Sequence, residues 1–189
     1  DGESKITFGH IPKNSIVLVV QSTYPPVDTN LLQALSIISQ VRKISSKIYA
    51  IIPYMGYARQ DRQFLSGEVV TMSIVAKMFK TAGTKKVIFI DIHSKAALNH
   101  FKIPKENISA IPELAKHFKK MKLKNPLVVS PDIGGSLRAK KFAALLNTDF
   151  VALKKSRNRK TGKVQIQSSK ADVHGRDLIV VDDIISTGG

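Results

Sequence analysis

DLIVVDDIISTGG (residues 177–189) pairs a short strand pattern with two carboxylates and a glycine turn. Its Leu178-Ile179-Val180-Val181 run is continuously apolar, which predicts a strand buried on both faces of a parallel sheet. Asp182 and Asp183 stand where that strand leaves the sheet, and in open α/β sheets ligands bind beyond the carboxyl ends of strands. In the Ser186-Thr187-Gly188-Gly189 turn, glycine lets the backbone approach closely, so that successive N–H groups can surround a phosphate. A helix beginning beyond it would add its positive end. Carboxylates beside such a cradle suit ribose hydroxyls, directly or through a metal. A bare Thr-Gly-Gly turn is better explained as a turn with one capping hydroxyl. The whole arrangement is the specific signal.

Other strand ends are polar in the same way. PDIGGSLRAKKFAALL (131–146) follows PLVVS with an acid and paired glycines before a helix, a second phosphate cradle in which Asp132 suits Mg2+ on a polyphosphate. IPYMGYARQDR (52–62) sets Arg59, Gln60, Asp61 and Arg62 in a loop after another strand. FIDIHS (89–94) puts His93 just past a third. A lone histidine is more often structural than a ligand, and four polar groups in a row can be a solvated loop. Position at strand ends is what favours a binding role for both.

Further strands are read at 15–21, 47–54, 85–92, 126–131 and 149–153, and helices at 30–44, 70–81, 113–121 and 136–146. Gly83 falls where a helix C-cap belongs, and Pro112 in a first helical turn. Strands alternating with helices predict an α/β protein of two doubly wound parallel-sheet domains, residues 1–110 and 111–189. The stretch 101–112 reads as irregular.

At 189 residues, 43% of them hydrophobic, the chain can build one large core or two small ones. It has no cysteine, which excludes disulfides and thiolate metal sites and fits a reducing, cytoplasmic setting. No apolar run reaches the ~18 residues of a membrane span, and the start lacks a signal-peptide pattern. The net charge is +16, and between Lys102 and Lys163 sixteen Lys and Arg face four Asp and Glu. Such a bias favours anionic partners. With only 6% aromatics and no binding motif, a nucleic-acid module ranks last. Lys116, Lys119, Lys120, Lys122 and Lys124 read as the solvated side of a helix whose Leu114, Phe118 and Met121 face a core.

Taken together and in order, IPYMGYARQDR, DIHS, SPDIGG and VVDDIISTGG resemble the ribose-phosphate pyrophosphokinases over nearly the whole chain. The 180–189 loop alone is equally similar to type I phosphoribosyltransferases, which have no use for YARQDR. The opening Asp1-Gly2-Glu3 resembles the end of the family's F-x-D-G-E segment, without its Phe. The family's first strand and the Thr after T-G-G are also missing, so the chain is expected to be a fragment short at both ends.

The resemblance implies transfer of the β,γ-diphosphoryl group of ATP to the C1 hydroxyl of ribose-5-phosphate, giving PRPP and AMP with Mg2+. It implies ATP contacts for Asp1, Gly2, Glu3, Arg59, Gln60, Asp61 and Arg62, and metal contacts for His93 and Asp132. Ribose-5-phosphate would fall to Arg157, Asp182, Asp183, Ser186, Thr187, Gly188 and Gly189. Catalysis would fall to His93 and to a mobile K-x-R segment, matched best by Lys155-Ser156-Arg157 among the neighbouring Lys154, Arg159 and Lys160. A homo-oligomer, at least a dimer, is implied because the D-G-E contact crosses a subunit boundary in the family. A regulatory homologue without activity would be expected to lose the His or the K-x-R, and both are present.

Overall fold

The computed structural model describes residues 3–157, 164–167 and 172–185, with backbone only for 155–157 and 164–167. The chain divides into two compact units, Asp1–Ser109 and Ala110–Gly189.

In the first unit, β1 (Ile16–Val20), α1 (Val27–Val41), β2 (Lys47–Ile52), α2 (Thr71–Ala82), β3 (Lys86–Ile90), α3 (Lys95–His100) and β4 (Lys105–Ile108) follow in order. The four strands are parallel and lie in sequence order, β1-β2-β3-β4. Right-handed crossovers between strands that advance in one direction lay their helices on one face. Burial agrees with that rule. Ile48, Ala50, Ile52, Val87 and Phe89 share a core with Leu35, Ile38, Met72, Val75 and Phe79. On the opposite face of β1, Ile16, Leu18 and Val20 remain exposed. Burial in β2 and β3 therefore alternates, although their apolar runs are continuous.

Helix α1 buries Leu31, Leu35, Ile38 and Val41, all within the predicted range 30–44. Helix α2 buries Met72, Val75, Ala76 and Phe79 but leaves Ile74 and Met78 exposed. It ends on Gly83 at φ 114°, a left-handed cap where a side chain would be strained and would press on the Arg42 stem. The stretch 101–112 is not irregular throughout, because Lys105–Ile108 pairs with β3.

The second unit contains α4 (Ile111–Phe118), β5 (Leu127–Ser130), α5 (Ser136–Leu146), β6 (Asp149–Ala152), β7 (Lys154–Arg157), β8 (Val164–Gln167) and β9 (Leu178–Val180). A parallel sheet of order β6-β5-β9 is accompanied by the antiparallel hairpin β7-β8. Strand β5 is central and wholly buried, as a continuous apolar run predicts. The core joins Ile111, Ala115, Val128, Ala139, Phe142, Ala143, Ile179 and Val181.

Here the expected stripe of α4 is corrected. Leu114 and Met121 are exposed, and Ile111 and Ala115 face inward with Phe118 against them. The helix starts two residues earlier than its pattern suggests and stops at Phe118, leaving Met121 in the following turn.

Candidate functional site

Each unit gathers its polar residues beyond the carboxyl ends of its strands. In the first unit, the loop after β2 is anchored from below. Thr23 donates to the Tyr54 carbonyl at 2.9 Å and accepts from the Gly56 N–H at 2.7 Å, and Tyr57 donates to Asp28. That bond, with burial and the Asp28 charge adding to it, raises the Tyr57 hydroxyl above its ordinary pKa. The loop then presents Arg59 and Gln60, both exposed. The Gln60 carbonyl oxygen of the side chain accepts from Thr71 at 2.6 Å, and its backbone carbonyl accepts from Met72 N–H at 3.2 Å, so α2 begins on this loop.

Arg59, Gln60, Arg62, Phe64, Glu68 and Val69 line a cleft of about 330 Å³, within the range of small-ligand cavities. Arg62 lies over the Phe64 ring, 5.1 Å from its centroid. Glu68 accepts the N–H groups of Phe64 and Leu65 at 2.7 and 3.0 Å and so shapes the far wall. The sequence reading found Arg59, Gln60 and Arg62 and missed Phe64, Glu68 and Val69, which carry no local signature of their own.

Asp61 behaves differently from its neighbours. It is 5% exposed, accepts a hydrogen bond from Ser94, and sits 3.7 Å from Arg62 Nε. Its carbonyl meets His100 Nε2 at 2.7 Å. Asp61 is thus turned inward, where it fixes the segment after β3. That segment is also held by Asn107 Oδ1, which accepts from Ile92 N–H at 2.9 Å, and by Ser109, which donates to Asp91 at 3.0 Å. His93 is exposed between the two anchored residues Ile92 and Ser94.

In the second unit, β5 and β9 are neighbours, with Val129 opposite Val180. Pro131-Asp132 and Val181-Asp182-Asp183 therefore leave the sheet side by side. Asp132 Oδ1 accepts from Gly135 N–H at 2.8 Å, and Ser130 donates to the Asp132 carbonyl at 2.7 Å, which folds the turn tightly. A Cβ on Gly135 would lie 2.7 Å from Ser130 Oγ and 3.7 Å from both Asp132 Oδ1 and Asp182 Oδ1. A side chain there would force the Ser130 hydroxyl to shift.

Asp183 N–H donates to Asp182 Oδ1 at 2.8 Å, and Arg138 Nη1 lies 3.3 Å from Asp183 and 3.6 Å from Asp182. Burial is the main reason the Asp182 carboxyl is raised above its ordinary value; the Asp183 side chain and the charges of Asp183 and Asp132 add to it, while the bond from Asp183 N–H opposes it. On the other side of β5, Leu153 N–H donates to the Ser130 carbonyl at 2.9 Å, and the hairpin carrying Lys155 and Arg157 starts at the next residue. Asp1, Gly2, Ser186, Thr187, Gly188 and Gly189 lie outside the described residues, and Glu3 is exposed.

Asp132 supplies a carboxylate of the kind Mg2+ takes, alongside waters and substrate phosphates. His93 offers an imidazole, which suits softer ions or a phosphate contact better. Among the described residues, no group of three or more His, Asp or Glu side chains could hold a metal ion. Those donors fit an ion that arrives with a polyphosphate rather than one resident in a protein cage. Nor is any described helix long and apolar enough to cross a membrane.

A model of the N-terminal domain of ribose phosphate pyrophosphokinase matches residues 1–83, and a phosphoribosyl transferase domain model matches 99–189. Over its whole length the chain is 38% identical to a ribose-phosphate pyrophosphokinase of Pasteurella multocida, covering 61% of that protein. It is 39% identical to one of Sulfurisphaera tokodaii, covering 65%. The crystal structure of phosphoribosylpyrophosphate synthetase from Mycobacterium smegmatis superposes with a TM-score of 0.79 at 29% identity, over 97% of this chain and 60% of that one. The chain thus spans about three fifths of the length of these relatives.

Proposed function

We propose that the chain belongs to the ribose-phosphate pyrophosphokinase family, and that the complete protein makes PRPP and AMP from ATP and ribose-5-phosphate. The observation that carries this reading is the pairing of two loop systems on one chain. One is a cationic cleft of nucleotide-base size beside Arg59 and Gln60, and the other is the Asp132 and Asp182-Asp183 turns beyond β5 and β9. A phosphoribosyltransferase needs only the second.

In this reading Arg59, Gln60 and Arg62 hold ATP, with Asp1, Gly2 and Glu3 reaching the adenine of a neighbouring subunit in a homo-oligomer. Asp61 acts through its bond to Ser94, which orients His93 toward the polyphosphate. Asp182, Asp183 and residues 186–189 hold ribose-5-phosphate. Asp132, and His93 by way of water or phosphate, are the residues that would hold Mg2+, which when bound offsets polyphosphate charge. Lys155 and Arg157 on the hairpin supply cations where negative charge grows as the C1 oxygen attacks the β-phosphorus, Lys as a point charge and Arg as a planar fork. Positioning and charge stabilisation are the main demands of such a transfer. We place the protein in the cytoplasm, in keeping with its cysteine-free sequence.

Chromatography of nucleotides from the complete protein with ATP, Mg2+ and ribose-5-phosphate tests the reading. AMP forming one for one with ribose-5-phosphate consumed is expected. Formation of ADP, or consumption of supplied PRPP with a free base, would refute it.

A further inference from the structure

Arg138 has no part in the reading above, yet its placement is costly. It is the third residue of α5, in a first turn without an acidic residue, where a cation opposes the positive end of the helix dipole. What offsets this cost is contact with two carboxylates. One guanidinium nitrogen, Nη1, lies 3.3 Å from Asp183 Oδ1 and 3.6 Å from Asp182 Oδ1. All three side chains are largely shielded, at 19%, 9% and 22% exposure, so the charges interact more strongly than a surface pair.

The carboxylates need this cation. Asp182 and Asp183 are consecutive and share the bond from Asp183 N–H to Asp182 Oδ1, and Asp132 brings a third carboxylate to the same glycine. Like charges held that close would turn away from one another and from a ligand. A guanidinium on the helix side fixes both in one orientation, because Ala139, Phe142 and Ala143 seat the helix in the core with Val128 of β5 and Ile179 of β9.

We propose that Arg138 is a positioning residue for the sugar acceptor, holding the Asp182 and Asp183 carboxylates in the orientation that receives hydrogen bonds from its hydroxyls. This rests on the assignment of Asp182 and Asp183 to ribose-5-phosphate. Arg138 itself does not touch the sugar. A residue that merely stapled α5 to the loop would alter melting temperature and affect both substrates alike, whereas a positioning residue affects one.

The test is steady-state kinetics of the complete protein for wild type, R138M and R138K, with ribose-5-phosphate binding followed by calorimetry. R138M should raise KM for ribose-5-phosphate at least tenfold while KM for ATP changes less than threefold, and R138K should fall between R138M and wild type. In a D183N background the effect of R138M should shrink at least threefold, since its partner is already neutral. If R138M lacks the wild-type melting transition, R138Q takes its place and should show the same selectivity. An unchanged KM for ribose-5-phosphate, equal rises for both substrates, or an undiminished effect in D183N would overturn the proposal. Wild-type protein that binds no ribose-5-phosphate would overturn the underlying site assignment, and this proposal with it.

Discussion

Ser94 donates a hydrogen bond to the buried Asp61 carboxylate, joining the loop after β2 to the N-cap of α3. Ser94 also accepts from Ala97 N–H at 2.9 Å, so one hydroxyl both caps a helix and satisfies a buried charge. S94A leaves that charge short of a partner and should destabilise the protein by about 1.5–3 kcal/mol. Urea unfolding measures this, and a midpoint unchanged from wild type would show that the contact contributes nothing. Because His93 is the adjacent residue, the same variant should also lower turnover.

Gly135 sits where a methyl group would press on the Ser130 hydroxyl. G135A should cost about 1–3 kcal/mol by overpacking. Removing the obstructing oxygen in S130A/G135A should restore at least half of that loss. A double variant no better than G135A would place the strain elsewhere.

The raised Asp182 carboxyl gives a signed pH dependence. A carboxyl held above its unfolded pKa binds its proton more tightly in the folded chain, so this contribution favours folding at acid pH. It is fully present below the unfolded value of 3.8 and fades as pH rises through the higher folded value. D182N imitates the protonated form at every pH. It should melt above wild type at pH 7, and the gap should close on acidification toward pH 4. Wild type melting higher at pH 7 would mean that the Arg138 pair outweighs the burial of Asp182.

Lys155 and Arg157 head a hairpin that begins two residues after β6, beside the Asp132 turn. K155A and R157A in the complete protein should each lower kcat at least about a hundredfold, as loss of one transition-state donor does. Nucleotide binding, read by calorimetry with a non-hydrolysable ATP analogue, should change less than threefold. Turnover near wild type in either variant would remove that residue from the chemistry.

The readable parts of this chain were those with local causes. Continuous Val and Ile runs announced β2, β3, β5 and β9, and the glycine turns after β5 and β9 declared themselves by composition. Strand β4 is KENI, with all four residues exposed, so no apolar pattern marks it. Helix α3 has only six residues, too few for a period. The inward turn of Asp61 depends on Ser94, 33 residues away, and the Arg138 contact on Asp183, 45 residues away. Pairings across such distances leave no trace in either segment alone. Leu114 and Met121 misled for a related reason, since two helical faces of α4 carry apolar residues and tertiary packing chose Ile111 and Ala115.

The reaction proposed for the complete protein moves a diphosphoryl group intact from ATP to ribose-5-phosphate. Phosphorus NMR of the complete protein with ATP, Mg2+ and ribose-5-phosphate tests it most directly. The account predicts that AMP and the coupled diphosphate resonances of PRPP grow together as ATP disappears. ADP appearing with a singly phosphorylated new product would contradict it.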